Sequence, residues 1–334
     1  MSGTSVRARR RRAARVSGRW FTFAVRRIAA LVVLLIALSF VVFSLLYLAP
    51  GGPEQALLGT RPATPALSAA LREKYHLDES FLRQYWLWLR DAVLLDFGDS
   101  TRTGRSVSAS LAERVGVSLF VGGYAFTLAM VTGVPLGVVA ALRKRTVLDR
   151  GVVGLAVVGV SAPAFVTGVF LLYVFSVALG WFPGFGAGEG LADGLWHLTL
   201  PAAALALSVM ALVLKLTRTA MIHALDQDYV AFARARGVPE RRVIVRYALR
   251  NALVSVITAA GLVLTVVLTG SVLVEVTFAL PGLGSLLVDA VENKDLPMLQ
   301  GLMMVIATVI VLVNLAIDLL YTLVDPRVRI GSAA

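Results

Sequence analysis

The chain has 334 residues, 58% of them hydrophobic and 16% charged, with a formal net charge of +12 and a mean hydropathy of +0.81. A soluble domain carries about a quarter charged residues, so this composition excludes an ordinary soluble protein and points to the membrane. There is no cysteine, which excludes disulfides, thiolate metal sites and a thiol nucleophile.

Residues 1–27 form a basic tail with nine arginines and no acid. Its first 19 residues, rich in Arg, Ala and Ser, are expected to be unstructured, and their arginines suit anionic lipid. Six apolar runs then reach the roughly 20 residues needed to cross about 30 Å of hydrocarbon. The first, 28–48, exceeds the about 7–15 residues of a signal-peptide core and lacks an A-x-A site. It is therefore read as a retained span, 28–49 with its flank.

Residues 50–114 balance eight basic residues against eight acidic ones. Pro62 and Pro65 break the start, 66–75 predicts a short amphipathic helix, and "FLRQYWLWLRDAVLLDFG" predicts a second. Trp86 and Trp88 in that second helix suit a membrane interface. This is a small helical extracytoplasmic element, either a cap over span ends or a docking lip for a soluble partner.

The remaining core, 115–325, holds five more spans at 117–142, 152–179, 198–216, 253–278 and 298–324. In the third, Gly151, Gly154, Gly159, Ser161 and Gly168 allow close helix packing, and Pro163 predicts a kink. The loop after the second span carries Arg143, Lys144, Arg145 and Arg150, and the tail 326–334 carries Arg327 and Arg329. The two short loops on the opposite side carry Lys294 against Glu189, Asp193, Asp289, Glu292 and Asp295. The positive-inside rule puts both termini in the cytoplasm. It also absorbs the surplus charge, so nucleic acid is not a partner.

Between the fourth and fifth spans lies 217–252. Residues 229–253 hold Arg234, Arg236, Arg241, Arg242, Arg246 and Arg250 against a single acid, Glu240. The segment is too polar to span and too long for a tight turn. It predicts helix, turn, helix, with Gly237 ending the first helix in a left-handed conformation and Pro239 in the first turn of the second. A short helix held out from a bundle is a handle, and transmits force only if something grips it. Ala233, Ala235 and Gly237 are small enough to enter a groove. Ala233 lies one turn before Gly237 on the same face, and the arginines suit acidic groups around that groove.

Several chemistries are missing. No lysine follows a glycine, so there is no phosphate-cradling loop. His76, His197 and His223 have no metal-ligand spacing, and no catalytic or metal-binding residue is assigned. An intramembrane serine protease built on Ser161 needs a base within about 3 Å. His197 belongs to the outer mouth of the fourth span and His223 to the cytoplasmic side, so neither shares the depth of Ser161. Two ionisable residues lie in the fifth and sixth spans, where such groups are functional candidates. Glu275 faces the outer mouth, as a pathway group for an ammonium or metal cation or as a charge pair. Asp318, one turn from Asn314, is read as a structural pair.

The stretch "DYVAFARARGVPERRVIVRYALRNALVSV" resembles the cytoplasmic loop of ATP-binding-cassette (ABC) importer permeases. The general form is Glu-Ala-Ala, three residues, then Gly. Aligned on Gly237, only Ala233 and Gly237 match it, and the sequence is instead similar to the variant of the peptide/nickel branch. "GVPLGVVAALR", "SAPAF", "SVLVEVTFALPGLGSLLVDAV" and "NLAIDLLYTLVDPRVR" agree with that branch. The resemblance runs from Arg27 to Arg329 and leaves out the basic N-terminus.

The resemblance implies an all-α polytopic membrane protein of six transmembrane helices in the type I ABC importer permease architecture, in the bacterial cytoplasmic (inner) membrane. It implies a second homologous permease subunit, two cytoplasmic ABC ATPases and an extracytoplasmic solute-binding protein. ATP and Mg belong to the ATPases, and no cofactor to this chain. Asp228, Tyr229, Ala233, Arg234, Ala235, Arg236 and Gly237 are the implied ATPase-coupling residues. The implied substrate is a peptide, with nickel as the alternative.

Overall fold

The computed structural model describes residues 3–59 and 64–324. The tail 326–334, with Arg327 and Arg329, and Pro62 lie outside the described residues. Those described form thirteen helices and one isolated bridge between Asp99 and Ser106.

Helix α1 (Gly3–Leu48) contains the first span, whose apolar run follows Arg26 and Arg27. The expectation for the first 19 residues falls on residues whose surroundings lie outside the description. Helices α2 (Gly52–Leu58), α3 (Pro65–Lys74) and α4 (Phe81–Val93) follow. The last two coincide with the predicted amphipathic stretches. Thr64 caps α3 by accepting from Leu67 N at 3.3 Å, with Pro65 in the first turn. At seven residues, α2 is too short to show a period.

The core comprises α5 (Val107–Leu142), α6 (Val147–Ser161), α7 (Ala164–Leu171), α8 (Gly190–Leu225), α9 (Asp228–Ala235), α10 (Glu240–Arg242), α11 (Arg250–Thr277), α12 (Leu283–Glu292) and α13 (Leu296–Val324). Wider π-type turns extend α7 over Leu172–Ala178 and join α10 to α11 over Val243–Leu249.

Among the described residues, five helices are long and apolar enough to cross a membrane. The third predicted span is not one of them, because it is broken. Ala162 is extended, at φ −95 and ψ 129, since Pro163 sterically disfavours the helical region for the residue before it. That span is therefore α6, a break, and α7 with its π-type turn.

Helix α8 is the centre of the bundle. Leu205, Val209 and Val213 pack with Val121, Ala125 and Ala129 of α5 and Val263, Val267 and Val274 of α11. A Cβ at Gly137 would lie 2.7 Å from Leu214 O and Thr217 Cβ, so α5 and α8 meet backbone to side chain. This close approach explains the glycines of "GVPLGVVAALR".

The bundle has two differently built ends. At one, Phe97, Val107 and Leu111 pack with Leu283, Leu286, Met298 and Leu302. Here Asp295 accepts from Ser100 Oγ at 2.5 Å and from Thr101 N at 3.2 Å. At the other, Ala141, Met221, Ala224, Ala248 and Ala252 form a separate cluster, and α9 projects from there.

Candidate coupling site

Helix α8 stops at Leu225, and a turn at Asp226 and Gln227 leads into α9. The predicted first helix of 217–252 is thus two helices. Helix α9 ends in a double closure: Gly237 N donates to Arg234 O at 2.9 Å, and Val238 N to Ala233 O at 3.1 Å. Gly237 sits at φ +75, the left-handed value this helix end requires. Pro239 then starts α10, where its missing N–H costs nothing.

Residues three apart share a helix face, and Val230 and Ala233 turn inward onto Val243, flanked by Leu225, Val238 and Tyr247. Ala233 is only 6% exposed. The expectation that it enters a partner's groove is corrected, because its methyl is consumed in seating α9 on its own chain. The outward face carries Asp228, Ala231, Phe232, Ala235 and Arg236. Phe232, at 70% exposure, is the residue sequence reasoning passed over. The available signal was an aromatic beside the inward Ala233, which helical geometry places on another face.

Arg234 bonds within its own chain while its side chain stays 45% exposed. Its Nη2 and Nε donate to Glu240 at 2.7 Å and 3.1 Å, so it ties α9 to α10. The pair holds the Glu240 carboxyl below its usual range and raises the Arg234 guanidinium. Asp228 lies in the first turn of α9, where a carboxylate complements the helix dipole. Tyr229 turns toward the bundle, and its hydroxyl accepts from Asn251 Nδ2 at 2.7 Å.

Beside this bond lies a cleft of about 500 Å³ between α8 and α11, lined by Thr219, His223, Gln227, Tyr229, Asn251 and Ser255 among others. Sequence reasoning also missed the clasp next to it. Arg218 Nε and Nη2 donate to the two carboxylate oxygens of Asp149 at 2.7 Å and 2.8 Å, and Arg145 N adds a third bond at 2.9 Å. Asp149 is buried, and the Arg218 bonds hold its carboxyl down at about 2, against an ordinary 3.8. The clasp joins the start of α6 to α8 just ahead of α9.

At the opposite end, Glu275 is 0% exposed. Its Oε2 accepts from Gly284 N at 2.7 Å and Ser285 N at 3.3 Å, and its Oε1 from Ser271 Oγ at 3.1 Å. Ser118 Oγ takes the neighbouring Leu283 N at 2.7 Å. This corrects the pathway reading of Glu275. The carboxylate satisfies the free amides at the start of α12, where the helix dipole favours negative charge. A Cβ at Gly282 would lie 2.2 Å from Glu275 Oε2, and one at Gly284 2.6 Å from Val272 Cα, which accounts for both glycines of "PGLG". Asp318 pairs with Arg27 at 2.5 Å, and Asn314 accepts from Thr265 Oγ1 at 3.2 Å, in keeping with a structural role.

Ser161 Oγ donates to Val157 O at 2.9 Å, while His197 Nδ1 lies 3.0 Å from Asp193 O. These local bonds give no support to a serine–histidine pair.

The long apolar helices, the broken span and the projecting helix define a polytopic membrane permease with a handle at one end. The chain belongs to the family of binding-protein-dependent transport system inner membrane components. Residues 133–330 match that family, and residues 20–119 match the N-terminal part of the binding-protein-dependent transport system membrane component. The chain is 38% identical over 307 residues to a protein of Brucella abortus (strain 2308) described as a peptide transport system permease, covering 91% of this chain and 98% of that one. It is 35% identical over 307 residues to the glutathione transport system permease protein GsiC of Shigella flexneri serotype 5b, covering 92% and 98%. It is 33% identical over 330 residues to the dipeptide transport system permease protein DppB of Alkalihalophilus pseudofirmus, covering 92% and 99%.

An inward-facing structure of the MetNI methionine ABC transporter superposes with a TM-score of 0.56 at 17% identity, covering 64% of this chain and 96% of that one. At that identity the likeness carries the fold, that of a type I ABC importer permease. The chain is therefore a multi-pass inner-membrane component of a binding-protein-dependent transport system, with the fold of an ABC importer permease.

Proposed function

We propose that this chain is the permease subunit of a peptide importer and that α9 is the helix its ATPases grip. The carrying observation is the outward face of α9, with the exposed Phe232 at its centre on a helix held by the Gly237 closure at its end and by the Val230 and Ala233 seat on Val243. An aromatic side chain on a rigid projecting helix is the form of an anchor for a partner's groove. Asp228, Ala235 and Arg236 surround it, Ala233 and Gly237 hold its shape, and Tyr229 links it to the bundle.

The partners are a second homologous permease subunit, two ABC ATPases carrying ATP and Mg, and a solute-binding protein on the opposite face. The charge distribution supports cytoplasmic termini, a cytoplasmic 217–252 and an extracytoplasmic 50–114. Relatives named for peptide, dipeptide and glutathione transport favour peptides over nickel as substrate.

The test is copurification and transport by the reconstituted complex. Phe232→Asp is expected to release the ATPases from a normally inserted permease, as a desolvated aromatic anchor contributes about 2 kcal/mol or more. Full coupled transport by Phe232→Asp would overturn the assignment of α9.

A further inference from the structure

Helix α4 does not stand above the bundle. It lies against the flank of the first span. The Tyr85 hydroxyl is 2.8 Å from Ser39 Oγ and 3.2 Å from Ile36 O. Phe81 packs on Phe40, Phe43 and Tyr47, and Trp88 on Phe43. Ser39 and Ile36 lie nine and twelve residues inside the end of the apolar helix Val25–Leu48, about 14–18 Å along its axis at 1.5 Å per residue. Half of a hydrocarbon core is about 15 Å thick, so the Tyr85 ring reaches the depth of lipid tails.

Successive residues turn by about 100° around a helix, which divides α4 into four sectors. Phe81, Tyr85, Trp88 and Ala92 face the protein. The next sector holds Leu82, Trp86 and Val93, all exposed, with Trp86 at 67%. Arg83 and Arg90 follow, also exposed. Last come Gln84, Leu87 and Asp91, which border a hollow of mixed lining, with Lys74, His76 and Asp99 beside Phe43 and Leu46. The exposed apolar sector continues onto Ile36, Phe40 and Val41 of the first span, which are exposed as well. Among the described residues Arg83 pairs with Glu79 at 3.4 Å and Arg90 with Asp91 at 3.2 Å, all with exposed side chains, and such pairs are too weak to withhold a guanidinium from a phosphate.

We infer that α4 is a lipid-seated helix. Leu82, Trp86 and Val93 lie among the acyl chains of the leaflet on this face, and Arg83 and Arg90 meet the phosphates. The ordering of buried, apolar, cationic and polar sectors is that of an amphipathic helix in a membrane interface. Continuity with the lipid-facing surface of α1 selects phospholipid over a soluble protein as the occupant. The side of this element left open to water is then the hollow of Lys74, His76 and Asp99.

The absence of native cysteine allows a clean test. Single cysteines at Leu82, Trp86 and Val93, and at Arg83 and Arg90, are introduced into the full chain in nanodiscs of phosphatidylethanolamine and phosphatidylglycerol. They are then titrated with a membrane-impermeant maleimide. Leu82→Cys, Trp86→Cys and Val93→Cys should react at least about tenfold more slowly than Arg83→Cys and Arg90→Cys, because an apolar setting suppresses the thiolate. Independently, lipids brominated along their acyl chains should quench a tryptophan component that Trp86→Phe removes. Equal reactivity at all five positions, or no Trp86-dependent quenching, would overturn the inference. So would fast labelling at Leu82→Cys that falls only when a solute-binding protein is added, which would make this face a protein-docking surface.

Discussion

The Tyr229 hydroxyl accepts a hydrogen bond from Asn251 Nδ2 at 2.7 Å, and the two residues belong to different mechanical parts. Tyr229 is on α9, and Asn251 is in the first turn of α11. Asn251 is itself held by Tyr247 O at 3.0 Å. The bond therefore ties the handle to a wall of the cleft between α8 and α11. A neutral hydrogen bond contributes about 1 kcal/mol net, equivalent to about fivefold in an equilibrium. Tyr229→Phe and Asn251→Leu should each lower transport per ATP hydrolysed by about that factor while the ATPases stay bound. The double variant should be no worse than either single one, since both remove the same bond. Additive losses in the reconstituted transporter would show that the two residues act separately.

Glu275 should behave as a cap. Glu275→Ala strips the acceptors from two buried amides at the start of α12 and should destabilise the protein by about 1–3 kcal/mol. Gly284→Ala should also destabilise it, because a Cβ there meets Val272 Cα at 2.6 Å. Thermal unfolding of the purified complex reads both effects. Glu275→Gln keeps one acceptor and should lie between Glu275→Ala and the parent. A change in substrate preference without loss of stability would return Glu275 to the pathway.

The Asp149–Arg218 clasp predicts a pH dependence with a definite sign. The folded carboxyl is held at about 2, below its ordinary 3.8, so the stabilisation is fully present above about pH 4 and disappears as pH falls toward 2. With solvent screening at the Arg218 side the contribution is on the order of 1 kcal/mol. Asp149→Asn should melt earlier than the parent at neutral pH, and the difference should close progressively below about pH 4. A gap that persists unchanged at low pH would assign the loss to packing alone.

Topology is testable with the same cysteine-free background. Thr64→Cys should react with an impermeant thiol reagent in intact cells, and Asp226→Cys should react only after the membrane is opened. The reverse pattern would invert the orientation proposed from the charges.

The spans were legible because a stretch that must cross hydrocarbon announces itself by length and composition. Gly237 was legible because few residues other than glycine adopt a left-handed helix end readily. Pro163 marked its break, although not that the break divides the span into separate helices. The inward face of α9 was not legible. Ala233 looks the same to a sequence reader whether it fills a partner's groove or its own seat, and its role depends on Val243, which lies ten residues on. Asp149 and Arg218 are 69 residues apart, and nothing local signals that they meet. Glu275 was noticed for its charge, but its partners are the amides of α12, and amides carry no letter in a sequence.

From Glu240 to Thr277 the chain forms one helical rod, interrupted only by the wider turn at Val243–Leu249. At about 1.5 Å per residue the rod is roughly 57 Å long. One end adjoins the Arg234–Glu240 tie, and the other carries Glu275 in the amides of α12. Such a rod is a lever. A tilt of roughly 5° about one end carries the other through roughly 5 Å, comparable with known helix displacements in switching proteins. A pull on the handle would then be felt where α12 begins without any signal passing from side chain to side chain, because both ends belong to the same stiff body.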